Sequence, residues 1–112
     1  MGPGKDNFKK ASDKCQQWGG FLVEPKSEEM STAVKSFNFK SKHLWIGLKG
    51  NTKDRTFLWQ TNKAALSYTD WADGQPNNLK GKESCVALNS DYRWDDIKCE
   101  LKLEYLCQAH KG

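Results

Sequence analysis

Four cysteines in a chain of 112 residues constrain the fold of this sequence more than any other feature. A domain of this length buries a limited share of its surface, and covalent cross-links often supplement its core. None of the cysteines belongs to a Cys-x-x-Cys pair, and only two histidines, His43 and His110, are present to complete a zinc site. We therefore predict two disulfides and a secreted, extracellular protein. Spacing alone leaves three pairings open among Cys15, Cys85, Cys99 and Cys107.

Length and charge narrow the classes of protein further. We expect residues 1–112 to form a single domain, because the chain has one domain's length and shows no repeats or linkers. The net charge is +4, but the lysines are scattered, which indicates a solvated basic surface and no nucleic-acid site. No segment approaches the roughly 18 apolar residues of a membrane span, so membrane insertion is not predicted either.

Two amphipathic helices are predicted in the first third of the chain. The first covers residues 7–18, with Asp6 or Asn7 as its cap and Gly19 at its end. Its apolar face consists of Phe8, Ala11, Cys15 and Trp18. The second begins near Ser27. Its apolar face consists of Met30, Ala33, Val34 and Phe37.

Short strands and one long loop make up the rest of the chain. Apolar runs predict strands at 44–48, 56–60, 85–88, 92–97 and 105–107. Between about Ala64 and Glu83 the sequence has glycines, a proline and little apolar periodicity, which predicts a long irregular loop. Loops of this length in compact domains are usually functional or disordered, and the closely flanking strands favour a function. The predicted fold class is α+β.

Oxygen-bearing side chains cluster in this loop and just after it. Gln75 and Asn77 offer amide carbonyls, while Glu83, Asp95 and Asp96 offer carboxylates. Calcium prefers six to eight oxygen ligands of these kinds. Taken alone, such residues are often only solvated surface groups, so the surrounding motifs decide between the two interpretations.

Those motifs resemble the C-type lectin domain family. They are Trp45-Ile46-Gly47-Leu48, Gln75-Pro76-Asn77, Glu83-Ser84-Cys85-Val86 and Trp94-Asp95-Asp96, with the four cysteines. Each motif is weak alone, but together they follow the family's order and spacing from about Phe8 to Gln108. The resemblance implies a C-type lectin fold with two helices, two small antiparallel sheets and a long loop that binds calcium and sugar.

The resemblance also assigns roles to individual residues. It implies the disulfides Cys15–Cys107 and Cys85–Cys99 and a cis peptide before Pro76. The family usually opens with a strand, for which only Met1–Asp6 is available here, so this strand is either short or trimmed. It implies packed aromatic residues at Trp45, Trp59, Trp71 and Trp94. It implies one Ca²⁺ that is held, together with the carbohydrate, by Gln75, Asn77, Glu83, Asp95 and Asp96. A second calcium position known in the family lacks acids here, because Asn78 and Ser84 replace them, although Asp54 is retained.

The triplet departs from the family pattern. In the family, Glu-Pro-Asn accompanies mannose-type binding and Gln-Pro-Asp accompanies galactose-type binding, usually with a later Trp-Asn-Asp. This chain has neutral Gln75-Pro76-Asn77, and Asp95 stands where asparagine is usual, so three carboxylates are kept. We therefore expect calcium binding to be retained. Gln75 favours galactose-type ligands, whereas Leu79 stands where galactose binders often place a stacking tryptophan, and the resulting prediction is a slight galactose-type preference.

Two other classes of function compete with a calcium-dependent lectin. Lectin-like domains that bind protein, mineral or another non-sugar ligand commonly lose the ligand positions, whereas this chain keeps oxygen donors at all five. An enzyme has little support, because His43 and His110 have no evident nucleophile partner and each is interpreted as a surface residue. The predicted partners are glycans or glycoproteins. Because single sugar sites bind weakly, we also expect a homo-oligomer or a larger chain.

Overall fold

The computed structural model describes residues 5–37, 42–50, 56–61, 66–74 and 84–109. In chain order, these ranges form β1 (Lys5–Asp6), α1 (Phe8–Trp18), β2 (Gly20–Leu22), α2 (Glu28–Val34), β3 (Leu44–Gly50), β4 (Phe57–Trp59), β5 (Ser84–Leu88), β6 (Trp94–Lys98), β7 (Leu103–Tyr105) and β8 (Cys107–Ala109). Neither helix in these ranges is long and apolar enough to cross a membrane.

Helix α1 is delimited by residues within its own sequence. The Oδ1 of Asn7 accepts a hydrogen bond from the backbone N–H of Lys10 at 2.9 Å, which satisfies one of the free donors of the first turn. Gly19 ends the helix in the left-handed region, with φ of 101°. Both boundaries confirm the predicted helix.

The buried face of α1 is shorter than predicted. Three of the four predicted apolar residues are buried, namely Phe8, Ala11 and Cys15. Trp18 is 57% exposed, so this part of the prediction is wrong. It lies in the last turn, where its ring is placed beside Gly20 instead of entering the core. The helix therefore anchors the fold through its first two turns.

Helix α2 begins next to Ser27, as predicted, and Ser27 is its cap, but the helix ends at Val34 instead of reaching Phe37. The chain turns there, and the N–H of Phe37 donates to the carbonyl of Val34 at 2.9 Å. Ser31 and Val34 are the buried residues of this short helix, whereas Ala33 is exposed, contrary to the prediction. A helix of seven residues has too few turns to bury the whole predicted stripe.

The described strands form two sheets. Six belong to one mixed sheet, with β1-β7-β3-β5-β6 in order and β4 paired to β3. Strands β3 and β7 run parallel, and the other described strand pairs of this sheet are antiparallel. Strands β2 and β8 form the second, antiparallel sheet. The predicted C-type lectin fold is confirmed, and the parallel pair makes its larger sheet mixed.

Two strand boundaries differ from the prediction. The strand expected at 92–97 begins at Trp94, because Tyr92 closes a turn with φ of 62°, which strands do not adopt. The strand expected at 105–107 is divided at Leu106, whose carbonyl accepts a hydrogen bond from the N–H of Val23 at 2.9 Å. The two pieces, β7 and β8, therefore belong to different sheets.

The larger sheet separates two hydrophobic clusters, because successive residues of a strand point to opposite faces. Strand β5 shows this alternation, with Val86 and Leu88 in one cluster and Cys85 and Ala87 in the other. The second cluster also receives the buried face of α1. The opening strand is present but short, since β1 has two residues and pairs with β7.

Both implied disulfides are present. Cys15–Cys107 joins α1 to β8 across 92 residues, and Cys85–Cys99 joins β5 to the segment after β6 across 14 residues. Cross-links restrict the unfolded chain more strongly when the closed loop is longer. The first disulfide therefore ties the two ends of the domain together, and the second closes the β5–β6 hairpin.

Candidate functional site

Strand β6 carries the two predicted site residues that the structure describes. Asp95 and Asp96 follow Trp94, which is fully buried. Consecutive residues of a strand face opposite sides, and the burial pattern agrees, since Trp94 and Asp96 are buried while Asp95 is half-buried. Asp96 is only 6% exposed, which is unusual for a carboxylate unless it is paired or bound to a metal.

Asp95 is engaged by a histidine. The Nε2 of His43 lies 2.9 Å from the Oδ2 of Asp95, and the two side chains are 23% and 18% exposed. An ionised carboxylate only accepts hydrogen bonds, so the imidazole is the donor in this contact. The sequence interpretation of His43 as an ordinary surface residue is therefore wrong.

The long loop begins on one side of β6. Backbone hydrogen bonds run from the N–H of Trp94 to the carbonyl of Asp70 at 2.8 Å, and from the N–H of Ala72 to the carbonyl of Trp94 at 2.9 Å. Trp71 and Trp94 thereby form a parallel bridge. The segment 70–72 is thus fixed along the edge of β6, immediately beside Asp95.

The long loop ends on the other side of β6. Strand β5 starts at Ser84, which pairs with Lys98, and continues to Leu88, which pairs with Trp94. Strand β6 therefore lies between the two stems of the segment 73–83.

The side chain of Arg93 binds the first stem of the loop, residues 70–72. Its guanidinium Nε lies 2.9 Å from Oδ1 of Asp70, and its Nη2 donates to the carbonyl of Trp71 at 2.8 Å. Arg93, which directly precedes the Trp-Asp-Asp motif, thus contacts two consecutive residues of this stem. The contact combines charge with a fixed donor geometry, which a lysine does not reproduce.

An aromatic cluster supports the same strand. Trp94 meets Trp59, Trp71 and Tyr68 edge to face, with ring centroids 5.6, 5.2 and 6.1 Å apart. Among the described residues, its buried Nε1–H has no hydrogen-bond acceptor. The prediction of core tryptophans is confirmed for Trp45, Trp59 and Trp94, whereas Trp71 is half-buried. The backbone that presents Asp95 and Asp96 is therefore rigidly packed.

The remaining predicted site residues lie outside the described residues. They are Gln75, Asn77 and Glu83, with Pro76, Asn78 and Leu79 beside them and Asp54 elsewhere in the chain. Within the described ranges, no three His, Cys, Asp or Glu side chains form a metal-binding group. The donor set of the five residues, three carboxylates and two amide carbonyls, nevertheless has the hard oxygen chemistry that calcium requires.

Sequence reasoning missed two side chains that contact the site, His43 and Arg93. Arg93 directly precedes the Trp-Asp-Asp motif, and this adjacency is a local signal that could have pointed to it. His43 offers no comparable signal, because it meets Asp95 only through strand pairing across 52 positions of the chain. Its role becomes visible only in the folded sheet.

Comparisons with known proteins agree with this architecture. Residues 4–109 match the family model of the lectin C-type domain. Human Collectin-10 is 28% identical over 107 residues, which cover 94% of this chain but 39% of that protein. The mouse scavenger receptor C-type lectin carbohydrate-recognition domain superimposes with a TM-score of 0.85 at 24% identity, covering 96% of this chain and 85% of that one. The corresponding domain of cow CD23 has a TM-score of 0.83 at 27% identity, covering 97% and 84%.

These relatives also define the kind of molecule. The chain spans about two fifths of the length of the curated collectin that it matches, so it corresponds to one module of that protein. Members of the matched family are binding domains and not enzymes, in agreement with the sequence expectation. The match covers both helices and all eight described strands. The chain belongs to the C-type lectin domain family.

Proposed function

We propose that this chain is a calcium-dependent carbohydrate-binding domain. One Ca²⁺ is held by Gln75, Asn77, Glu83, Asp95 and Asp96, and the same side chains contact the sugar. The observation that carries the proposal is the position of β6, which presents Asp95 and Asp96 between the two stems of the loop that contains the other three. Membership of the C-type lectin domain family supports the same reading.

The roles of the five side chains follow from the chemistry of their donor and acceptor atoms. Bound calcium supplies a centre that accepts two neighbouring sugar hydroxyls as additional ligands. The carboxylates of Glu83, Asp95 and Asp96 accept hydrogen bonds from those hydroxyls, and charge makes these contacts shorter and stronger. The amides of Gln75 and Asn77 offer a carbonyl to the ion and an N–H to the sugar. The protein therefore fixes the orientation of the sugar with donors grouped at the two amides and acceptors grouped at the carboxylates.

A slight preference for galactose-type ligands is part of the proposal. It rests on Gln75, and Leu79 counts against it because it offers no aromatic face for the apolar side of galactose. The related domain of cow CD23 has been crystallised in the presence of a GlcNAc2Man3 oligosaccharide, a mannose-containing ligand. Both monosaccharide classes therefore belong in any binding experiment.

We also propose that the domain acts outside the cell and as one of several linked sites. The two disulfides favour an oxidising compartment. Because an isolated shallow sugar site binds weakly, useful avidity requires several sites, supplied by a homo-oligomer or by a longer chain.

A glycan array tests the proposal. Labelled protein is applied in excess calcium and again in excess EDTA, together with the variant Asp96→Asn and the control Asp91→Asn, whose side chain lies exposed in the β5–β6 turn. We expect glycan signals that vanish with EDTA and with Asp96→Asn but persist in the control. Signals unaffected by EDTA would contradict the calcium requirement. A silent array in which calcium still binds would indicate a non-sugar ligand.

A further inference from the structure

The contact between His43 and Asp95 extends the proposed site beyond its five ligands. His43 lies just before β3, two residues ahead of Trp45. Trp45 pairs with Ala87 on β5, and Ala87 pairs with Asp95 on β6, so all three lie in one row across the sheet. Ala87 is fully buried and has the smallest side chain in this row. The long side chain of His43 therefore reaches across β5 and meets Asp95.

The contact changes what Asp95 offers to a cation. A free carboxylate has two equivalent oxygens and can bind a calcium ion through one or both of them. Here the N–H of His43 occupies Oδ2 at 2.9 Å, which leaves Oδ1 as the oxygen without this donor. An asparagine, which the family usually has here, also presents only one oxygen. A donor on Oδ2 thus favours coordination through Oδ1, which is the one-oxygen arrangement that an asparagine offers.

We propose that His43 is a positioning residue for the calcium site, a role that rests on the proposed function. It holds Oδ2 of Asp95, so that Oδ1 serves as the ligand oxygen in one fixed orientation. Hydrogen-bonded partners of metal ligands commonly act in this way, and their loss costs about tenfold to hundredfold in metal affinity. The half-buried position of both side chains reduces the competition from water for the hydrogen bond.

The test compares three single variants. His43→Leu removes the donor, His43→Gln keeps an N–H near the position of Nε2, and Lys42→Gln removes a neighbouring charge from an exposed side chain. Calcium affinity is measured by titration calorimetry, and the melting temperature is measured in EDTA. We expect His43→Leu to weaken calcium binding about tenfold or more. His43→Gln should remain within about threefold of the unmodified chain, and Lys42→Gln should match it.

Repeating His43→Leu in a second background separates a positioning role from a general effect on folding. In the Asp95→Asn background, which itself weakens calcium binding, His43→Leu should cause less than about a twofold further loss, because coupled residues are not additive. Equal losses in both backgrounds would overturn the role, as would a His43→Leu affinity within about twofold of the unmodified chain. Equal weakening by Leu and Gln, with lower melting in EDTA, would show a merely structural residue.

The two levels of the hypothesis fail differently. If the unmodified chain binds no calcium, the proposed function and the role of His43 both fail. If the unmodified chain binds calcium and His43→Leu binds it equally well, only the role of His43 fails.

Discussion

At the scale of single residues, Gly47 shows how a family motif can serve the fold instead of the ligand. A Cβ at this position would lie 2.9 Å from the carbonyl oxygen of Leu22 and 3.0 Å from Cγ of Glu24. Glu24 has little freedom to move, because its buried carboxylate accepts hydrogen bonds from the N–H and hydroxyl of Thr61 at 3.0 and 2.8 Å and pairs with Lys26 at 3.1 Å. The glycine therefore allows β3 to approach the chain that follows β2.

The variant Gly47→Ala should lower the free energy of unfolding by about 1–3 kcal/mol, the usual cost of overpacking a rigid interior. Urea denaturation followed by tryptophan fluorescence measures this change. The control Ser90→Thr adds one carbon to an exposed residue of the β5–β6 turn and should change stability by less than about 0.5 kcal/mol. Equal stabilities for Gly47→Ala and the unmodified chain would contradict the close approach.

At the scale of elements, the loop stems and β6 act as one unit. Arg93 links β6 to Asp70 and Trp71, while the β5–β6 pairing holds the other end of the loop. The two described ends of the loop, residues 70–72 and the start of β5, therefore both lie along the strand that carries Asp95 and Asp96. Because the guanidinium is nearly half exposed, its ion pair adds little to global stability, and we expect its main effect on the loop.

The variant Arg93→Leu should therefore weaken calcium binding severalfold while lowering the melting temperature in EDTA only slightly. Limited proteolysis should cleave the segment 73–83 faster in this variant than in the unmodified chain. Lys98→Gln, on the same strand and exposed, is the matched control and should show neither effect. If Arg93→Leu binds calcium like the unmodified chain, the stem contact is not needed to place the ligands.

The elements also show how far sequence reasoning reaches. Helix starts are local signals: Asn7, one of the two predicted caps, is the cap of α1, and α2 starts beside Ser27 as predicted. The parallel pairing of β3 with β7 and the contact of His43 with Asp95 join distant positions, which propensity and periodicity do not encode. The start of β6 was misplaced because a positive φ at Tyr92 has no distinct sequence signal. The predicted loop from Ala64 to Glu83 lies mostly outside the described residues, and the anchoring of its segment 70–72 through Arg93 was not predictable.

At the scale of the whole molecule, the two disulfides stabilise different parts of the fold and by different amounts. In the chain-entropy description, a closed loop of 92 residues stabilises the fold by about 4–5 kcal/mol and one of 14 residues by about 3 kcal/mol. The longer link holds α1 against β8 and keeps the terminal parts of the described fold together. The shorter link lies within the hairpin that carries Asp95 and Asp96.

Replacing both cysteines of a pair with alanine should separate these roles. We expect the Cys15/Cys107 variant to lose more global stability in urea denaturation than the Cys85/Cys99 variant, because it releases the longer loop. The Cys85/Cys99 variant should show the larger loss of calcium affinity relative to its loss of stability. The reverse order in both measurements would contradict this division.

A crystal structure of the chain grown with calcium tests the central claim most directly. We predict one ion surrounded by oxygens of Gln75, Asn77, Glu83, Asp95 and Asp96 at about 2.3–2.6 Å, with His43 still bonded to Asp95. An ordered loop whose side chains stay several ångströms from any common centre at saturating calcium would contradict the claim.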